Sequence, residues 1–121
     1  VTQFCGFRQL DINKAMGRSV EDLAWAQISP HFPRAAKQVA MNVNVGGTTV
    51  KIIVDIVGQK ADGSFILYEV KASSTASFTN NQQTAYPQIS TNGATIISNH
   101  AIQIFGTNII PPGTDGFRVE P

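Results

Sequence analysis

An aspartate inside an apolar run and a Glu-x-Lys triplet further along are the residues of this chain best placed to do chemistry. Asp55 stands in Ile52-Ile-Val-Asp-Ile-Val57, and Glu69 and Lys71 follow Phe65-Ile-Leu-Tyr68. A carboxylate in such a run is costly unless it is paired or bound to a metal. Side chains two apart on a strand share a face, so Glu69 and Lys71 project together and Val70 points away. In an antiparallel hairpin, paired positions have a constant sum. A loop of residues 60–64 sets Gln59 opposite Phe65 and Asp55 opposite Glu69 on one face, and a slip of one residue would separate them. Two carboxylates about 5 Å apart repel by roughly 3 kcal/mol at an effective dielectric of about 20. Lys71 offsets part of that, and a divalent cation offsets more. The alternative is a cross-strand ion pair on a solvated face, with Asp55 or Glu69 joined to Lys71 or Lys51.

These residues need elements to hold them. Ser19 followed by Asp22 fits a helix start, and Val20, Leu23, Ala24 and Ile28 recur at helical spacing until Pro30 and Pro33, which predicts a helix over about 19–29. After a linker, Val39–Val45 alternates as a half-buried strand, Gly46-Gly47 turns, and Thr48–Val57 is β-branched almost throughout. Asp62-Gly63 turns again into a third strand, Ser64–Ala72. The short connections favour an antiparallel meander. Thr79–Ile89 reads as a capped second helix containing Pro87, with Gly93 beyond it. Ala94–Ser98 and Ala101–Phe105 read as one or two further short strands. Residues 1–18 show no sustained period and read as a lead-in. The expectation is one α+β domain: lead-in 1–18, core 19–105 and irregular tail 106–121, with a mixed central sheet flanked by helices.

Asp55, the Asp62-Gly63 turn and Glu69-Val70-Lys71 resemble the signature of the PD-(D/E)xK nuclease superfamily, with its restriction-endonuclease-like core. Val54 stands where that pattern nominally has Pro. Thr79-Asn-Asn-Gln82 and Tyr86-Pro87 further resemble the nuclease domains at the C-termini of bacterial polymorphic toxins of the contact-dependent inhibition, Rhs and type VI effector kinds. The resemblance spans about residues 19–90. It implies Asp55, Glu69 and the Val70 carbonyl as ligands of Mg²⁺ or Mn²⁺, with Glu21 completing the site directly or through water. Lys71 would orient the attacking water, and Gln82, or else Gln83, would lie beside the site. It also implies DNA cleavage to 5′-phosphate and 3′-hydroxyl ends, a cognate immunity protein, secretion within a larger bacterial protein and action in the target cell's cytoplasm.

Composition narrows the classes without choosing among them. The chain has 121 residues, 42% hydrophobic and only 14% charged, with nine Lys+Arg against eight Asp+Glu. A net charge of +1 excludes a binder that relies on bulk positive charge, though not a local basic groove of Arg34, Lys37, Lys51 and Lys60. The single cysteine, Cys5, excludes an internal disulfide and a Cys-rich zinc site, and reads as an inert buried thiol. No apolar run approaches the roughly 18 residues of a membrane span, and no signal-peptide pattern opens the chain. An opening Val1 in place of Met reads as a piece of something longer. His31 and His100 sit in expected loops, and Trp25 reads as core. Two rivals to a DNase remain: an RNase of the same fold, since the site reads phosphate rather than the 2′-hydroxyl, and a non-catalytic β-rich binding or adaptor domain.

Overall fold

The computed structural model describes residues 6–9, 19–73 and 75–120. A seven-stranded sheet runs through it in the order β1-β7-β4-β3-β2-β5-β6. The strands are β1 (Gly6–Gln9), β2 (Arg34–Val45), β3 (Thr48–Gln59), β4 (Phe65–Val70), β5 (Ala94–Ile96), β6 (Ile109–Ile110) and β7 (Asp115–Glu120). The helices are α1 (Val20–Ile28), α2 (Asn80–Asn92) and α3 (Asn99–Phe105). The sheet is mixed, as expected: β2, β3 and β4 form the antiparallel meander, while β7 runs parallel to both β4 and β1.

Local chemistry explains the elements that were expected. Ser19 caps α1, its hydroxyl accepting from the Asp22 amide at 3.1 Å. The β2–β3 turn uses Gly46 and Gly47 at φ 58° and 86°, the double left-handed backbone that a two-residue hairpin requires. The β3–β4 hairpin has the anticipated register, with Gln59 opposite Phe65 and Ile56 opposite Tyr68. In its loop, the Asp62 carboxylate accepts from both the amide and the hydroxyl of Ser64.

Four expectations are corrected. Residues 34–38, read as linker, already belong to β2. Arg34-Ala-Ala-Lys carries no β-branched residue, but pairing with Ile56–Gln59 makes it strand. Ala101–Phe105 lies in α3; its alternation also places Ala101 and Phe105 four apart, and both are buried. The lead-in contributes β1, and the expected irregular tail contributes β6 and β7. In β7 the charges of Asp115, Arg118 and Glu120 mask a strand whose Val119 is fully buried. The remainder of 1–18, Cys5 included, lies outside the described residues.

Two apolar clusters cover the two faces of the sheet. One packs α2 and α3 against β2–β5 and contains Val39, Met41, Ile52, Val54, Tyr86 and Phe105. The other packs Leu23, Ala24 and Ile28 of α1 against Ile56, Tyr68 and Val119. Membership of these clusters exposes a dislocation. Strict alternation sends residues three apart to opposite faces. Yet Ala36 and Val39 share the first cluster, as do Val54 and Val57, while Ile56 joins the second. Both strands therefore slip by one residue at the same rung, that of Gln38 and Asp55. This pair is missing from an otherwise continuous ladder, and Gln38 has φ 50°, the only positive φ of a non-glycine among the described residues.

Candidate functional site

Extending the β3–β4 register by one rung sets Asp55 beside Glu69, as the sequence spacing predicts. The ladder itself stops at Ile56–Tyr68, because the next backbone donor of β4 turns to a side chain: Val70 N–H donates to Asp55 Oδ2 at 2.8 Å. On its outer side β4 pairs with β7, and Lys71 N–H donates to the Val119 carbonyl at 2.8 Å, which anchors the Lys71 backbone. Arg118 of β7 secures the loop that follows by donating to the Ser73 and Ala76 carbonyls at 2.8 and 2.6 Å.

Glu69 is 3% exposed and enclosed by donors. Tyr86 Oη donates to its Oε1 at 2.7 Å, Gln82 Nε2 donates to its Oε2 at 2.7 Å, and Lys71 Nζ lies 3.3 Å from Oε2. Gln82 earns its orientation from the start of α2. Thr79 and Gln82 form a capping box, in which Gln82 Oε1 accepts from the Thr79 amide at 2.9 Å while the Thr79 hydroxyl accepts from the Gln82 amide. With its oxygen committed there and to Lys71 Nζ at 3.3 Å, the Gln82 NH₂ group must face the carboxylate. The Thr-x-x-Gln sequence is thus a helix cap that also presents a donor to the site. Lys71 Nζ further lies 5.3 Å from the centre of the Phe78 ring.

Asp55 and Glu21 make a different arrangement. Gln38 Nε2 donates to Asp55 Oδ1 at 3.1 Å and to Glu21 Oε1 at 2.5 Å, tying α1 to the sheet through one exposed amide. Gln38 is the hydrogen-bonded link between Glu21 and Asp55, and the charge of Glu21 acts on Asp55 across it.

The electrostatics follow from this packing. Burial, then the charge of Asp55, pushes Glu69 up to about 7, against the pull of Tyr86, Lys71 and Gln82. Burial likewise raises Asp55; the Val70 N–H opposes it, the charge of Glu21 adds to it, and hydrogen bonds with Gln38 and Glu69 oppose it. Burial and the neighbouring Glu69 charge raise Tyr86, so its phenol remains a donor. Two adjacent carboxyl groups with raised proton affinity can share a proton at neutral pH or give it up to a cation. Among the described residues, no group of three or more His, Cys, Asp or Glu side chains closes on a point that would hold a metal ion.

Every proposed site residue is therefore described, and they fall into two linked groups: Glu69, Lys71 and Gln82, and Asp55 with Glu21, joined at the Asp55–Glu69 rung. Gln83 is not in the first group; its amide donates to the Phe78 carbonyl at 3.0 Å. Trp25 is half-buried rather than core, with Lys37 Nζ 5.1 Å from the ring centre. His100 stands in the first turn of α3 and the exposed His31 ends a short 3₁₀ turn (Ser29–His31), so neither lies in a loop; His100 Nε2 is 2.8 Å from the Lys37 carbonyl. Lys51 and Lys60 line separate open pockets. One of about 280 Å³ is bounded by Lys51, Ile53, Asn81 and Gln82, and one of about 420 Å³ by Arg34, Gln59, Lys60 and Gly63.

Two residues at the site receive no role from the sequence, although Tyr86 belongs to the resemblance noted above. Tyr86 follows Gln82 by one helical turn, so their common face was available from spacing alone. Gln38 had no signal, since its place depends on the slip in β2. Comparison of the chain with protein-family models, curated proteins and solved structures finds no match in any of the three.

Proposed function

We propose that this chain is a divalent-cation-dependent nuclease of the PD-(D/E)xK type, built on a restriction-endonuclease-like core and cutting DNA. The observation that carries the reading is the register that sets Asp55 beside Glu69, with Lys71 Nζ 3.3 Å from the latter. The order α1, β2, β3, β4, α2, with a later strand beside β4, supports the core. The chemistry of the two adjacent carboxylates suits a small hard cation. Asp55 and Glu69 offer oxygen, repel one another, and bind protons more tightly than free carboxylates do. Each carboxylate oxygen has about two acceptor positions. Glu69 Oε1 thus keeps one beside Tyr86, and the Val70 carbonyl and Glu21 would complete the set. Mg²⁺ or Mn²⁺ bound there would supply charge neutralisation at the phosphate and a more acidic water. Lys71, fixed by Glu69, Gln82 and its own backbone, would orient that water and steady the phosphate. In this reading the domain is the toxic part of a larger secreted bacterial protein, acts in the cytoplasm of the target cell, and is held in check by an immunity protein.

Plasmid nicking tests the proposal. Wild type should nick supercoiled DNA with Mg²⁺ or Mn²⁺ and not with EDTA, and Glu69→Gln and Lys71→Ala should not nick at all. Lys71→Arg should be poor too, because a planar guanidinium cannot replace a compact ammonium. Cleavage of RNA alone would move the reading to an RNase. Expression without a partner should be toxic for wild type and harmless for Glu69→Gln.

One observation favours a second reading, a non-catalytic binding or adaptor domain. Glu69 is met by three donors, and no buried side-chain polar atom among the described residues lacks a partner. A satisfied network of this kind can serve the fold alone. Metal-independent behaviour of the wild type, with no cleavage of either nucleic acid, would decide for it.

A further inference from the structure

The dislocation at Gln38 demands a cause. A glutamine at φ 50° sits in sparsely populated backbone, and such strain persists only where the surroundings enforce it. Here both strands give up one rung of pairing and slip in phase, on the rung that carries Asp55. The exposed Gln38 side chain is not repaid by burial. What it gains is a pair of hydrogen bonds, one to Asp55 Oδ1 and one to Glu21 Oε1. Asp55 is then gripped at both oxygens, by the Gln38 amide on one and the Val70 N–H on the other. Glu21, on a helix packed against the opposite face of the sheet, is drawn to the same place, although its charge and that of Asp55 repel.

The geometry points to Gln38 as a positioning residue that brings Glu21 and Asp55 together on one amide, for a divalent cation to bridge. This rests on the nuclease reading, which names Asp55 and Glu21 as ligands, but assigns a role that neither the Asp nor the Glu-x-Lys segment contains. The carboxamide suits the task. Both hydrogens of its NH₂ group donate, so one neutral group can hold two carboxylates without the lasting neutralisation that a lysine would bring. A cation arriving between the carboxylates takes over their attraction, and the exposed amide is free to turn aside. The backbone strain fixes where the side chain starts, not where it must stay.

Mn²⁺ titration of the intact domain by calorimetry tests this, using wild type, Gln38→Leu, Gln38→Gly, Glu21→Gln and the double variant Glu21→Gln/Gln38→Leu. Leucine keeps the bulk and removes the donors, while glycine accepts the positive φ and also removes them. Both Gln38 variants should bind Mn²⁺ about 10-fold more weakly, the usual effect of removing a group that orients a ligand. Gln38→Gly should do so while melting no lower than wild type in EDTA, which separates positioning from folding. The double variant should bind no more weakly than Glu21→Gln, since Gln38 acts through Glu21 and Asp55. Unchanged Mn²⁺ affinity in Gln38→Gly, beside a wild type that binds the ion, would overturn the inference and leave the nuclease reading standing. A wild type that binds no Mn²⁺ would overturn both.

Discussion

Glu69 and Asp55 are neighbours on one rung, yet the protein treats them in opposite ways. Glu69 is buried and held by Tyr86 and Gln82 of α2 and by Lys71, each fixed in turn by a helix cap, ring packing or a strand. Asp55 is half-exposed and meets its second carboxylate through one solvent-facing amide on a strained backbone. The first arrangement is a finished polar network with Glu69 as its shared acceptor, so that removing Glu69 takes a partner from each of the others. The second is a pair of like charges kept together by one neutral amide. One carboxylate is thus closed off by protein donors while its neighbour stays partly open to solvent.

The contrast predicts unequal responses to substitution, largest on the Glu69 side. Glu69→Ala removes the carboxylate that accepts from Gln82 Nε2 and Tyr86 Oη and that pairs with the Lys71 charge, and should lower stability by about 3–5 kcal/mol in urea unfolding. A loss under about 1 kcal/mol would show that the network is not a stabilising unit. Next is pH. Glu69 is raised in the folded protein from 4.5 to about 7, so between these values the folded state binds the extra proton. Its contribution is complete below about 4.5 and disappears as pH rises through about 7, a fall of up to about 3 kcal/mol in EDTA. Glu69→Gln should flatten that slope. Tyr86→Phe removes one buried donor and should cost about 1–3 kcal/mol; equal stability would make its 2.7 Å contact dispensable. Smallest is Glu21→Gln at the open end, expected to change stability in EDTA by less than about 0.5 kcal/mol. A loss as large as that of Tyr86→Phe would erase the difference between the two sides.

Legibility in the sequence follows the same division. The β3–β4 hairpin was readable because its turn residues and β-branched runs fix the register, and with it the Asp55–Glu69 rung. The capped α2 was readable because Thr79 and Gln82 announce it locally. What was lost depended on distant partners. Ala35, Ala36 and Lys37 have little strand propensity and become strand only because β3 lies beside them. β7 is charged at alternate ends and is held by β1 and β4 from far along the chain. The slip at Gln38 leaves no local trace at all, because Gln38-Val39 looks like the start of any alternating strand. A period-2 reading that assumes unbroken alternation cannot foresee the Gln38 bridge from Asp55 to Glu21.

The position of β7 has a consequence for how the protein comes into being. It is the last described strand in the chain, yet it lies inside the sheet, and its Val119 carbonyl receives the Lys71 amide while its Arg118 fastens the loop leading to α2. A nascent chain that has emerged only as far as residue 110 already carries Asp55, Glu69 and Lys71, but β4 then presents a bare edge and Lys71 has no backbone anchor. Domains mature as units during synthesis, and pairings between distant segments close late. Assembly around Lys71 is therefore deferred until residues 115–120 have cleared the ribosome, and a nascent chain exposed only to residue 110 lacks the strand that fixes its lysine.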